Sequence, residues 1–173
     1  MGMAMKQMMK LAALGVVVAL GACTKPQGAM VNDPYASGQG AYDGVGVGTL
    51  PGSAEYFRTA VGDTVNFQLD QSTLSSEARG ILARQAQWMN ANPNFSAVIE
   101  GHADEQGTRE YNLALGARRA SSVQEYLISQ GVGAGRLRTV SYGKERPLAV
   151  CSTEECFTRN RRGVTVVAPG VGS

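Results

Sequence analysis

The sequence predicts an α/β fold of the α+β sandwich kind, a βαβαβ(α)β domain with helices packed on a small mixed sheet, preceded by a disordered tether. Three observations carry this. Segments of strand period and of helix period alternate from residue 61 onward, and cap and stop residues stand at their borders. The residues before them have no period and are dense in Gly, Pro and Ser.

Residues 1–22 read as an export signal. "MGMAMKQMMK" carries Lys6 and Lys10 with no acid, and "LAALGVVVAL" is an apolar run far shorter than the ~20 residues that span a bilayer. Leu20, Gly21, Ala22 and Cys23 spell "LGAC", which resembles the lipobox of bacterial lipoproteins. That resemblance implies that Cys23 takes a diacylglyceryl thioether, becomes the new N-terminus and is acylated again, for instance by palmitate. Two or more acyl chains anchor stably where one does not. A plain secreted protein with a stray cysteine is the alternative. Thr24 stands where lipoproteins kept in the inner membrane often carry Asp, which implies the outer membrane as the address, with the domain in the periplasm.

Residues 23–60 are expected to form the lipid-anchored tether. From Lys25 onward the composition cannot bury enough apolar surface to offset chain entropy. A flexible run of this length reaches ~30 to 36 Å.

The compact domain is expected over residues 61–169, followed by a tail at 170–173. "TVNFQLD" alternates, placing Val65, Phe67 and Leu69 on one face of a strand. Ser75 is an N-cap, and Ala78, Ile81, Leu82, Trp88 and Met89 recur at helical spacing until Asn92 and Pro93. "FSAVIEG" is a second, more buried strand. Thr108 caps a long helix with Leu115, Val123, Tyr126 and Leu127 on its inner face, ending at Gly131. "RLRTVSYG" and "GVTVVA" are further strands, with a short helix between them around Glu154 to Asn160, and the last strand can run antiparallel.

Charge excludes one class of partner. The formal charge is +2, but both excess lysines lie in the signal, so residues beyond it carry balanced charge. Nucleic acid would want a strongly basic domain. The stretch "EGHADEQGT" gathers the chain's single histidine, His102, with Glu100, Asp104 and Glu105. One histidine is too few for a zinc site, and the alternating oxygen ligands of a calcium loop are missing. No nucleophile pattern such as G-x-S-x-G accompanies the cluster, so neither metal nor cofactor nor catalysis is expected there.

The stretches "EGHADEQGTREYNLALGARRASSVQEYLISQGV", "SYGKERP" and "NRRGVTVV" closely resemble the OmpA-like peptidoglycan-binding domain, and in particular the peptidoglycan-associated lipoprotein family. The similarity runs over residues 65–167. It implies a non-covalent grip on diaminopimelate-containing stem peptides of peptidoglycan, and a place in the Tol-Pal system. Membership there implies TolB-like and TolA-like partners, OmpA-type porins as neighbours, and a role in envelope integrity and outer-membrane constriction during cell division. A wall-binding lipoprotein of the same fold outside the Tol system, and a peptidoglycan-cleaving enzyme, are the competing readings.

The family's binding residues carry over one by one. Asp104 and Arg119 match its paired acid and arginine, Asn112 and Leu115 its asparagine and apolar wall, Asp70 an aspartate after the first strand, and Asn160, Arg161 and Arg162 its "NRR" signature. Gln106 departs from the arginine, and Leu69 from the phenylalanine, that relatives often have. The chemistry suits a zwitterion: Asp104 accepts from an ammonium, and Arg119 offers a carboxylate a bidentate fork that Lys could not. Helix spacing puts Asn112 and Arg119 on nearly one face, leaning toward Asp104. Structural alternatives remain: Asp104 as a helix cap, Arg119 paired with Glu100 or Glu125, and "RNRR" as a solvated face.

With Cys23 consumed by lipid, Cys151 and Cys156 remain as an even pair in an oxidising compartment, which predicts a local disulfide. Their spacing is not that of a redox-catalytic C-x-x-C.

Overall fold

The computed structural model describes residues 50–170. The signal, Cys23, most of the tether and residues 171–173 lie outside the described residues. The chain enters at a turn and forms helix α1 (Ala54–Tyr56), capped by Ser53 and continued by a wider π-helical stretch, Phe57–Gly62. Strand β1 (Thr64–Asn66), helix α2 (Ser76–Ala91), strand β2 (Phe95–His102) and helix α3 (Arg109–Ser129) follow. A 3-10 turn (Ala134–Arg136) leads into β3 (Leu137–Gly143), helix α4 (Glu154–Asn160) and β4 (Arg162–Pro169).

The four strands form one mixed sheet in the order β1-β4-β2-β3. Strands β2 and β3 are parallel, while β4 runs antiparallel to both β1 and β2. Helices α2 and α3 cover one face. Val65, Ala97, Ile99 and Leu137 from the strands meet Leu82, Met89, Ala120, Val123 and Leu127 from the helices, all buried. The other face is open at Val98 and Val166.

Local chemistry sets the borders. Ser75 Oγ accepts from the Ala78 N–H and Thr108 Oγ1 from the Tyr111 N–H, satisfying donors that a helix start leaves free. Gly131, at φ +90°, closes α3 as its N–H reaches the Ile128 carbonyl. Replacing Ser75 with alanine is expected to cost about 1 kcal/mol in urea denaturation, the usual value of such a cap; an unchanged midpoint would show that the bond contributes nothing.

Two expectations need correction. The ordered domain starts before residue 61, because Phe57 is 1% exposed and packs 4.9 Å from the Trp88 ring, whose Nε1 donates to the Pro51 carbonyl. Gln85, fully buried on α2, binds the Gly62 carbonyl and fixes the end of the same segment. The first strand is also shorter than "TVNFQLD". Its ladder ends at Asn66, with one further bond from the Phe67 N–H to the Arg161 carbonyl. The chain then turns, with Asp70 at φ +56°, and Leu69 is 54% exposed rather than inward. The cause is Arg119, which draws the Gln68 and Gln71 carbonyls out of strand geometry.

Candidate functional site

Between the turn after β1 and the N-terminal half of α3 lies an open cavity of about 290 Å³. Leu115 and Asn112, one turn apart on α3, form its inner wall, and both are buried. Asp104 and Gln106 close one side, and Leu69, Asp70 and Tyr111 stand at the rim. The Tyr111 hydroxyl donates to Asp70 Oδ1, tying helix to turn.

The loop carrying Asp104 is fixed from several directions. The Gln106 N–H donates to Asp104 Oδ1 at 3.2 Å, a local turn of the kind aspartate favours. Asn112 Nδ2 donates to the Gln106 carbonyl at 2.6 Å, and Lys144 Nζ to that of Gly107 at 2.7 Å. Gly107 adopts φ +88°, which a residue with a Cβ rarely does. Asn160, fully buried, donates to Glu105 Oε1 and to the Ala149 carbonyl, and accepts from the N–H groups of Leu148 and Ala149.

The structure brings Asp70, Asp104, Asn112 and Leu115 together around this cavity, and places Arg119 and Arg161 behind it. Arg119 is fully buried, and its guanidinium donates to three carbonyls: His102 and Gln71 at 2.8 Å and Gln68 at 3.1 Å. It pairs with neither Glu100 nor Glu125. Burial lowers its pKa to about 10 and the Asp104 charge opposes that shift, so it stays protonated at neutral pH. Its charge therefore stands behind the cavity, and the fork expected to face a ligand is occupied by the turn.

Arg161, 3% exposed, donates from Nη1 to Asp104 Oδ2 at 3.1 Å and from Nη2 to Glu154 Oε1 and Thr158 Oγ1. Burial alone would lower its pKa, but the bonds to Glu154 and Asp104 outweigh burial and the net shift is upward. Arg161 thus holds Asp104 in place instead of lining the cavity. Asp104 caps no helix, since Thr108 does that, and each of its oxygens keeps acceptor capacity.

Two carboxylates, Asp70 and Asp104, and no cationic side chain stand among the lining residues of the cavity, so its walls offer acceptors beside the apolar side chain of Leu115. Sequence reasoning missed Tyr111. Its position four residues before Leu115 put it on the same helix face, which was the available signal. The "NRR" motif gave no sign that Arg161 points inward while Arg162 donates to the Asn160 and Arg146 carbonyls.

His102 lies at the end of β2, 1% exposed, with its ring 5.5 Å from that of Tyr142. Neither ring nitrogen makes a hydrogen bond, although Nε2 is 3.4 Å from Glu100 Oε2. Burial, followed by the charges of Arg162 and Arg146, lowers its pKa to about 4. The unfolded chain therefore binds the extra proton between about pH 6.5 and 4, and stability falls as pH falls through that window. From pH 7 to 5 this one group is expected to remove about 2 kcal/mol. Urea denaturation of wild type and His102→Gln at both values checks it: equal pH sensitivity of the two proteins would contradict a neutral buried imidazole.

Cys151 and Cys156 are joined in a disulfide, their Cα atoms 5.8 Å apart, which ties the loop before α4 to the first turn of that helix.

The OmpA family matches residues 66–161 of the chain. A peptidoglycan-associated lipoprotein of Mesorhizobium japonicum is 53% identical over 131 residues, covering 76% of this chain and 77% of that protein. One from Rhizobium meliloti is 48% identical over 161 residues, covering 93% and 88%. Among solved structures, the peptidoglycan-associated lipoprotein from Burkholderia pseudomallei superposes with a TM-score of 0.63 at 33% identity, over 67% of this chain and all of that one. The C-terminal domain of Helicobacter pylori MotB shares the fold, with a TM-score of 0.58 at 22% identity over 63% of this chain and 86% of that one.

Proposed function

The chain belongs to the OmpA family and to its branch of peptidoglycan-associated lipoproteins, and from that premise we propose that it binds peptidoglycan non-covalently and links the wall to the outer membrane. The ligand is the diamino acid of a stem peptide, diaminopimelate in the first instance. Its ammonium sits between Asp104 and Asp70, and its alkyl chain lies along Leu115 and Leu69. Its carboxylate is drawn by the Arg119 charge and by N–H groups at the start of α3. The observation that carries this reading is the pair of carboxylates facing one small cavity with Leu115 on its inner wall.

The function is binding without catalysis. Two charge-assisted contacts at ~1.5 to 3 kcal/mol each give ~3 to 6 kcal/mol, which is millimolar to sub-millimolar affinity. A lipid on Cys23 and the chain that follows it would raise the effective concentration beside a repeating lattice. Weak, renewable attachment suits a wall under remodelling. Within the Tol-Pal system the same domain would meet TolB-like and TolA-like partners, in envelope integrity and in constriction of the outer membrane at division.

Titrating the chain from Lys25 onward with a synthetic stem peptide ending in diaminopimelate tests the ligand. Saturable binding is expected, with at least ~10-fold loss when lysine replaces diaminopimelate, since the second zwitterionic centre is then gone. Equal binding of both peptides would defeat the assignment. New reducing ends or released peptides after incubation with cell-wall fragments would defeat the binding-only reading.

A further inference from the structure

Resting on the reading of the cavity just given, we infer that Glu154, held in the loop closed by Cys151 and Cys156, is a positioning residue for Asp104, so that the state of this disulfide tunes the affinity of the cavity for its cationic ligand. The path is short. Asp104 Oδ2 accepts from Arg161 Nη1 at 3.1 Å, and Arg161 Nη2 binds Glu154 Oε1 and Thr158 Oγ1. Both of those acceptors lie on α4, and Glu154 stands inside the disulfide ring. Arg161 is buried while the Glu154 side chain is 67% exposed, so the outer half of the relay reaches the surface and the inner half does not.

Helix α4 depends on this closure. It has seven residues, too few to persist alone in water. Its N-cap residue, Thr153, makes no side-chain capping bond, and the Thr153 hydroxyl lies against Cys151 Sγ instead. The C-terminal end is secured separately by the four bonds of buried Asn160. Opening the disulfide therefore releases the turn that carries Glu154 and leaves the far end attached. Arg161 then loses its only carboxylate partner besides Asp104, keeping Thr158 Oγ1 and the Phe67 carbonyl that accepts from its Nε at 3.4 Å, so its hold on Asp104 loosens without being lost. Asp104 itself stays in the loop, because the Gln106 N–H and Asn112 still hold that loop.

The switching chemistry is a two-electron reduction by a dithiol. The bond between the two sulfurs breaks, each takes a proton, and the reagent leaves as its own cyclic disulfide. By linkage, a ligand that prefers the oxidised form makes that form harder to reduce by the same factor.

The test uses the full chain in detergent, oxidised or reduced with dithiothreitol, titrated with the diaminopimelate stem peptide. Reduction is expected to weaken binding about fivefold, a modest coupling between sites, and reoxidation to restore it. Saturating peptide should shift the dithiothreitol equilibrium toward the disulfide by the same factor. In Glu154→Ala, which removes the acceptor for Arg161 Nη2, the oxidised protein should bind as weakly as the reduced wild type, with no further change on reduction. Equal affinity of the oxidised and reduced wild type overturns the inference, as does a Glu154→Ala protein that keeps the redox effect. Independently of any ligand, reduction must move the NMR signals of the Gln106 amide and the Arg161 guanidinium. If they stay in place the relay is absent, whatever the peptide does. Should the peptide fail to bind the oxidised protein while those signals move, the ligand assignment fails and the relay stands.

Discussion

Asp104→Ala is expected to abolish retention on intact sacculi and to cost about 3 kcal/mol of folding stability, the lower end for breaking a buried ion pair. The two losses have separate causes. Binding fails because the carboxylate at the inner side of the cavity is gone, leaving only exposed Asp70 to meet an ammonium. Stability falls because Arg161, 4% exposed in its side chain, keeps a buried guanidinium edge with no acceptor. Glu154 and Thr158 still satisfy the opposite edge, which is why the cost stays at the low end. Asp104→Asn separates the effects, since the amide oxygen can accept from Arg161 while the charge is lost. Asparagine should recover part of the stability and little of the retention. Wild-type retention by either variant would show that the ligand sits elsewhere.

Gly101→Ala is expected to cost about 3 kcal/mol or more, at the upper end for overpacking a core. Gly101 on β2 faces Gly116 on α3, and a Cβ at position 101 would collide with the Gly116 carbonyl oxygen. It would also meet that carbonyl carbon at 2.6 Å and the Ala120 Cβ at 3.2 Å. These atoms belong to a helix locked on the sheet, so no side chain can swing aside. Helix α3 would have to lift, and it carries Asn112 and Leu115 with it. Binding should therefore weaken along with stability, although position 101 touches no part of the cavity. Urea denaturation checks the size; a loss below ~1 kcal/mol would mean that helix and strand do not pack this closely.

The features legible in the sequence were the local ones. Ser75, Thr108 and Gly131 act within four residues of themselves, so their roles as caps and stop could be read from position alone. The alternation of Val65 and Phe67 was equally plain, but its continuation to Leu69 was broken by Arg119, about fifty residues away, whose bonds to the carbonyls at 68 and 71 override strand period. "AEYFRTA" has one core side chain, Phe57, and no helical stripe, and it folds because Trp88 and Gln85 receive it. For the site, the resemblance chose residues that do gather in one region, yet the split between wall and support was hidden. Charge type tells that an arginine wants anions or carbonyls, and only the fold tells which it finds. Arg119 found three carbonyls, and Arg161 found two carboxylates, the Thr158 hydroxyl and the Phe67 carbonyl.

Strand β4, the last element among the described residues, lies inside the sheet, between β1 and β2. A chain delivered N-terminus first holds its two halves apart until the end, because β1 has no strand to pair with before residues 162–169 arrive. The same late segment is preceded by Asn160 and Arg161, which fasten Glu105 and Asp104. A chain without residues 162–173 therefore has no closed sheet, and it should be a substrate for proteases rather than a weaker binder. Long-range closure of this kind is slow compared with helix formation, so insertion of β4 is expected to be the last step in forming the sheet.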